Sequence, residues 1–513
     1  MTHTRRPTRA ERRATTVSPL ANIPWRAIRN PMPPLTRLDA EGEEKIHHAS
    51  MRILEEIGLA FMDDEALDLW TQAGAKVDRA RQHVWLDRHL VLELVARAPS
   101  QFTWRARNPE HNLTIGGNHI NFAPNGGVVF AQDLDRDRRP GEMQDYLNLL
   151  KLVQMCNVLH FAGEQLVVPH DVPVSLRHLQ RSLAALTLTD KAYMEAAHGR
   201  IIAGDAVAMA KIVFGEGIDQ GNAPVLGGVI NASSPLRYDD RMIGGMLTYA
   251  RAGQALIITP FILAGAMSPI TMAAAVAQQN AEALAGIAFT QLVRAGSPVV
   301  YGGFATNMDM RSGSPAFGTP EGAWATIAGG QMARRYGLPY RNSGTLNTSN
   351  VPDAQAAYET MWAIWPAVLS HANAIMHAVG WLEGGLTVSF EKMIMDMENL
   401  AMFQHFFQDV EISDESLALD MIAEVGPGGH HFGTSHTQAR YRTEFYSPFL
   451  SDRQNHENWM QSGVGDAASR ANRVWKQVLK DYEQPPMDDG VREALEDFVK
   501  KREKELAGVE LYS

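Results

Sequence analysis

Glu164, His198 and His377 each follow a segment that reads as a β-strand. One carboxylate and two imidazoles are the types that bind a hydrolytic metal ion or pass protons near neutral pH. Taken singly, each is also an ordinary structural residue. A second set is aromatic: Tyr301, Phe304, Tyr340, Trp362, Trp365 and Trp381 fall at or near the ends of strand-like segments. A quaternary ammonium has diffuse charge and no N–H, so aromatic faces rather than hydrogen-bond acceptors hold it. Any one of these rings serves a core equally well. His430, His431 and His436 follow the run Gly426-Pro427-Gly428-Gly429, but no carboxylate or cysteine spacing completes a zinc site around them.

The segments that must position these groups are marked by a repeat. Arg251-Ala252-Gly253, Arg294-Ala295-Gly296 and Arg335-Tyr336-Gly337 each end a helix-like stretch, with glycines 43 and 41 residues apart, and each is followed at once by an apolar run. Glycine just past a helix takes the left-handed conformation that closes it, and a cation in the last turn suits the helix dipole. Strands joined by helices in this cadence run parallel, and chemistry then lies in the loops after the strand C-terminal ends. Seven strands are predicted, at Val158–Ala162, Ala192–Ala196, Val225–Ile230, Leu256–Ile258, Val299–Tyr301, Pro339–Arg341 and Ala374–Ala378, with helices near 199–213, 239–252, 269–294, 320–336 and 352–371. Ser268-Pro269 and Thr319-Pro320 both read as capped helix starts. The chain near 424–433 is one option for an eighth strand. Neither a Gly-x-Gly-x-x-Gly turn nor a phosphate-binding Gly-x-x-x-x-Gly-Lys-Ser/Thr is present, which favours a closed barrel over an open nucleotide-binding sheet.

The expected architecture is therefore α/β, a (β/α)8 TIM-type barrel. Residues 1–38 read as a flexible arm, 39–141 as an α+β extension with hairpins, 142–480 as the barrel and 481–513 as a C-terminal helical extension. The predicted strand-end loops are small, glycine-rich and poor in lysine and carboxylate, for example Ala264-Gly265-Ala266-Met267, Gly302-Gly303-Phe304 and Asn342-Ser343-Gly344-Thr345. They suit something broad rather than a phosphate or a cage of carboxylates.

With 513 residues, 45% of them hydrophobic, the chain can build a large core. Its net charge of −11 argues against nonspecific nucleic-acid binding. One cysteine, Cys156, sits among Val153, Met155 and Val158 and reads as a core thiol, consistent with a reducing cytoplasm. Arg5-Arg6 and Arg12-Arg13 have no apolar run behind them, so no secretory signal is read. The uncharged stretch from Ala252 to Asn280 is broken by Pro260 and Pro269 and is not a membrane helix. Oligomeric association is expected, with the arm able to embrace a neighbour.

Several stretches resemble the trimethylamine methyltransferase family: Gly265 to Thr271, Gln278-Gln279-Asn280-Ala281-Glu282, Ser314 to Glu321, Tyr336-Gly337-Leu338-Pro339, Val351 to Gln355 and Gly426 to His430. The likeness runs in order from about residue 40 to 480. It implies a (β/α)8 barrel that moves a methyl group from a methylated amine to the cobalt of a corrinoid carried by a small separate protein, with no metal ion of its own. It also implies corrin-facing loops at Gly265, Met267, Gly303 and Gly344. Archaeal relatives carry pyrrolysine in the loop corresponding to Gly344–Ser349, and Leu346 matches that position here. Leucine offers no imine and no hydrogen bond. A tertiary amine losing a methyl cation needs such help, whereas a quaternary amine departs as a neutral tertiary amine. The resemblance therefore points to the pyrrolysine-lacking branch and a quaternary amine, glycine betaine first. Tyr301, Phe304 and Trp381 are the expected cage, and Arg341, His377 or Asn231 the donors for a substrate carboxylate. Glu164 is expected at the same site, and no residue is assigned as catalytic. Two other readings stay open: a metal-dependent barrel hydrolase using Glu164, His198 and His377, and a noncatalytic betaine-binding protein.

Overall fold

The structure, a computed structural model, describes residues 20, 23–219, 223–509 and 511. Arg5-Arg6 and Arg12-Arg13 lie outside the described residues. The fold is mixed α/β around one curled nine-stranded sheet. Eight strands run parallel: β1 (His119–Phe122), β2 (Phe161–Gly163), β3 (Ala192–Met194), β4 (Leu226–Ala232), β5 (Ala255–Pro260), β6 (Val299–Gly302), β7 (Tyr340–Ser343) and β8 (Ala374–Met376). The sheet order is β1-β8-β7-β6-β5-β4-β3-β2, with Ile28–Arg29 added antiparallel to the free edge of β1. A hydrogen bond from His160 N–H to Phe122 O, 2.8 Å, joins β1 to the residue just before β2. The return bond, Phe122 N–H to His160 Nδ1, is 3.0 Å.

All seven predicted strands form, with boundaries shifted by a few residues. The eighth parallel strand is β1, in the segment read as a hairpin, so the central sheet draws on residues well before 142. The option near 424–433 forms no strand; helix Leu419–Val425 runs into it and the rest is turn. Alternation along each strand explains the continuous apolar runs. Ala255, Ile257 and Val300 join one inner cluster, while Leu256, Ile258, Val299 and Tyr301 face the helices.

Eight helices follow the strands in turn: α1 (Met143–Met155), α2 (Arg177–Leu188), α3 (Gly199–Phe214), α4 (Asp240–Arg251), α5 (Met272–Val293), α6 (Pro320–Arg335), α7 (Ala354–Leu369) and α8 (Phe390–Phe406). Thr319 caps α6 by accepting from Gly322 N–H at 3.1 Å. Gly253, Gly296 and Gly337 take positive φ of 66°, 77° and 65°, the left-handed closures expected of them. The Ser268-Pro269 start does not hold. α5 begins at Met272 after Thr271, and Ser268 O instead accepts from Gly265 N–H to close a loop turn. α5 is buried nearly all round because helix Ala40–Arg52 covers its outer side, where Ser50 Oγ donates to Ala277 O.

The inner space at the strand N-terminal ends is filled by the hairpin Gln101–Trp104/Leu113–Gly116 and Trp25. Trp104 packs so closely that a Cβ on Gly227 of β4 would meet its Cη2 at 2.1 Å. The described part of the N-terminal arm is not free. Leu35 N–H donates to Leu369 O, Asn30 Nδ2 donates to Val368 O, and Arg37 and Leu38 N–H both donate to Gln331 Oε1. Residues 23–38 thus hold the end of the sheet opposite the strand-end loops. The C-terminal helix Asp489–Leu506 buries Leu495, Val499 and Leu506 and joins the fold through Arg502 to Asp205, 2.7 Å. Cys156 is buried, with its thiol pushed up to about 11 by burial. Among the described residues no helix is long and apolar enough to cross a membrane.

Candidate active site

The loops after β5, β6, β7 and β8 converge on a group of rings at the C-terminal ends of the strands. Phe304 lies at the centre. Its ring centroid is 4.9 Å from Phe261, 5.9 Å from Phe317 and 5.5 Å from His377. Trp381 closes the group, 4.5 Å from His377 and edge-on to Phe317 at 5.9 Å. Leu346, the residue expected to stand at the pyrrolysine position of relatives, packs with Phe317 and Trp381 inside this apolar group. A cavity of about 20 Å³ lies behind Phe304, Phe317 and Leu346, bounded by Thr326, Asn342 and Ala363.

Arg341 on β7 supplies the positive charge. It is 1% exposed, and its guanidinium carbon stands 5.2 Å from the Phe304 ring centre. Nη1 donates to Gly303 O at 3.2 Å, while Nε is buried with no acceptor. Trp381 Nε1 is likewise a buried donor without a partner. Burial brings Arg341 down to about 10, so it stays cationic at neutral pH. Glu164 follows β2 with a φ of 55°, and its carboxyl lies against Gly126, 3.0 Å from where a Cβ would stand. It keeps some accessible surface although protein encloses it, as expected for a group lining a recess. Burial raises it to about 7, against the opposing pull of Arg341.

His377 follows β8 with a φ of 51° and is held from both sides. Its Nδ1 is 2.9 Å from Ser343 Oγ. Its carbonyl accepts from Thr345 N–H at 2.7 Å and Thr345 Oγ1 at 2.9 Å. Burial, and next the charge of Arg341, hold the imidazole well below its usual range, so it is neutral. Behind these loops Asp396 of α8 accepts from Gly380 N–H at 2.8 Å and pairs with Lys392 Nζ, itself 3.0 Å from Thr360 Oγ1. Asn347 Nδ2 donates to Trp381 O. The loops after β7 and β8 are therefore fixed as one unit.

Of the predicted cage, Phe304 and Trp381 come together, and His377 and Arg341 join them. Tyr301 does not: as the outward residue of β6 it is fully buried against α5, its hydroxyl donating to Asn280 Oδ1 at 3.0 Å. Tyr340 is outward on β7 and donates to Thr326 O. Trp362 is exposed on α7, and Trp365 packs on Phe403. Asn231 is exposed near the end of β4. Gly265 and Met267 reach the rim, where Ile270 and Met310 are 65% and 67% exposed. Gly303 and Gly344 do not, being packed against Tyr340 and Ile375. His198 sits beside Arg181, which pairs with the buried Glu195 at 2.7 Å, and His198 is lowered by burial and then by Arg181. Among the described residues no three His, Cys, Asp or Glu side chains are placed to hold a metal, so Glu164, His198 and His377 do not assemble as a hydrolase site. Phe261, Phe317, Ser343 and Asp396 were missed as site residues. Phe317 lies in a predicted strand-end loop, but a loop phenylalanine carries no signal of its target.

A family model described as trimethylamine methyltransferase matches residues 2–507. The chain is 39% identical to a glycine betaine methyltransferase of Desulfitobacterium hafniense, covering 93% of this chain and 98% of that one. It is 29% identical to a trimethylamine methyltransferase of the same species, over 90% of this chain and 92% of the relative. It is 28% identical to a trimethylamine methyltransferase of Methanosarcina barkeri, over 90% and 94%. Among solved structures it resembles the Methanosarcina barkeri monomethylamine methyltransferase, with a TM-score of 0.51 and 10% identity over 91% of this chain and 89% of that one, a likeness of fold alone.

Proposed function

We propose, from the premise that the chain belongs to the trimethylamine methyltransferase family and is a methyltransferase, that its methyl donor is a quaternary amine bearing a carboxylate, glycine betaine first, and its acceptor a corrinoid on a separate protein. The carrying observation is the pairing of a ring group, Phe304 with Trp381, with buried donors that lack acceptors, Arg341 Nε and Trp381 Nε1. Ring faces hold a trimethylammonium group, and unpaired donors donate to a carboxylate. The relative at 39% identity, named a glycine betaine methyltransferase, supports the same substrate.

In this reading Arg341, His377 Nε2 and the Trp381 Nε1 edge hold the carboxylate, and the faces of Phe304, Phe317 and Trp381 take the methyl groups. Glu164, ionised above about pH 7, faces the cationic head. The nitrogen needs no proton from the protein, because the departing group is a neutral tertiary amine. Leu346, apolar and 8% exposed, fits this requirement. The small residues and exposed side chains of the rim, Gly265, Ala266, Ile270 and Met310, fit a broad corrin face. The corrinoid supplies a nucleophilic metal centre that takes the methyl group. The protein's part is to orient one methyl toward the rim and exclude water, and positioning of this kind lowers a barrier by several kcal/mol.

The same reading takes the curled sheet as a closed (β/α)8 barrel with β1 as its eighth strand. The parallel order and the His160–Phe122 bonds across the gap support it. A cytoplasmic setting suits the single buried cysteine. The test is single-turnover reaction with free or protein-borne reduced corrinoid, followed by corrin absorbance, with glycine betaine and trimethylamine offered separately. A change with glycine betaine alone is expected. No change across a panel of quaternary amines, with folded protein and a cognate corrinoid protein present, would refute the reading.

A further inference from the structure

Residues 409–447 form a lobe with almost no interior. Helices Asp414–Leu417, Leu419–Val425 and Ser435–Arg440 bury none of their residues, and Thr434 is the one buried residue of the lobe. Its apolar side chains face outward: Val410, Ile412, Phe432 and Phe445 are 76–78% exposed, and Leu417, Leu419, Ile422 and Tyr441 are 50–67% exposed. Ordering a chain costs about 1–2 kcal/mol per residue for the backbone alone, and burial normally offsets it. This lobe has no burial of its own to do so.

We propose that the lobe is the interface through which two copies of this chain associate. Three observations select a second copy as the occupant. The first is place. The lobe leaves and rejoins the fold at the last turns of α8, where Tyr446 packs on His405 at 5.7 Å and Gln404 donates to Pro24 O. Pro24 precedes Trp25, which fills the strand N-terminal end, so the lobe is rooted at the end opposite Phe304 and Trp381. A methyl acceptor must reach those rings and then leave, whereas an apolar surface this wide demands permanent cover. The second is area. Eight such side chains offer on the order of 800 Å² of apolar surface, the share one partner contributes to a stable interface. The third is charge. Residues 409–424 carry six acids, Asp409, Glu411, Asp414, Glu415, Asp420 and Glu424, and no base, whereas 425–447 carry Arg440, Arg442 and three histidines against one acid, Glu444. Arg440 pairs with Glu415 inside the lobe, and a two-fold axis lays the remaining acids of one lobe toward Arg442 and the histidines of the other, the kind of self-complementarity an isologous contact needs.

The test is molar mass by light scattering on the full chain, with Phe432→Glu and Phe445→Glu combined. The wild type is expected at a multiple of 56.6 kDa and the variant at 56.6 kDa with the same circular dichroism. A wild-type monomer at about 10 μM, or a folded variant that keeps the wild-type mass, overturns the proposal. Should the variant not fold, amide exchange on the wild type decides. Protection of Leu419–Val425 in the chain alone is expected, and free exchange there, or protection gained only on adding a cobalamin-carrying protein, overturns it.

Discussion

Ser343 Oγ lies 2.9 Å from His377 Nδ1, joining the ends of two neighbouring parallel strands. Ser343 Oγ has no other hydrogen-bond partner among the described residues, and when it donates to Nδ1 the ring proton resides on Nε2, the tautomer that the proposed carboxylate contact requires. The imidazole is then a neutral donor with Nε2 free for a substrate oxygen. Ser343→Ala releases that choice of tautomer. A net hydrogen bond is worth about 1 kcal/mol, so kcat/KM for glycine betaine is expected to fall about five-fold, with Ser343→Thr restoring it and the melting temperature little changed. Equal kinetics for Ser343→Ala and wild type would remove His377 from substrate binding.

Arg341 and Phe304 serve opposite ends of the proposed substrate, which separates their mutants. Arg341→Met removes a charged donor worth about 2–3 kcal/mol, so glycine betaine should lose about 30- to 150-fold in kcat/KM while choline, with no carboxylate, loses far less. Phe304→Ala removes a ring face worth about 1–2 kcal/mol and should weaken both substrates alike, about 5- to 30-fold. Kinetics on the two amines with each variant settle it. An Arg341 variant that loses both substrates equally would place the carboxylate elsewhere.

The strand–helix cadence was legible because its signals are local: glycine closures at Gly253, Gly296 and Gly337, and the Thr319-Pro320 cap, act within one turn. β1 was not, because His119–Phe122 is short and its parallel partner β8 lies some 250 residues away. At the site the same divide holds. Phe304 and Trp381 were found as strand-end aromatics, but Tyr301 was misplaced because one residue of register on β6 turns a side chain from the inner face to α5. Asp396 gave no sign, since a helix acid normally meets water and only the tertiary fold buries this one at 1% exposure.

Glu164 gives the site a pH dependence. Its native value, about 7, lies above its ordinary value of 4.5, so between these limits the native state holds a proton that the unfolded chain lacks. Stability therefore falls as pH rises through that window. Glu164→Gln should raise the melting temperature at pH 8 and change it little at pH 4.5. Binding runs the other way. A quaternary ammonium prefers the ionised carboxylate, so KM for glycine betaine should fall as pH rises from 6 to 8 in wild type and stay flat in Glu164→Gln. A flat wild-type profile would place the cationic head away from Glu164.

The Lys392–Asp396 pair tests whether the loops after β7 and β8 depend on the charge or on the hydrogen bonds behind them. Both residues are 1% exposed, and Asp396 also holds Gly380 N–H. Asp396→Ala leaves Lys392 buried and unpaired and frees Gly380, for a loss of about 3–5 kcal/mol. Lys392→Met with Asp396→Asn removes both charges but keeps a carbonyl oxygen for Gly380, and should cost markedly less. Because Gly380 leads directly to Trp381, the single variant should also raise KM in whatever fraction stays folded, while the double variant keeps KM near wild type. Denaturant melts and betaine kinetics on the two proteins distinguish the cases. Equal stability losses would show that the charge pair itself, rather than the orphaned lysine, carries the energy.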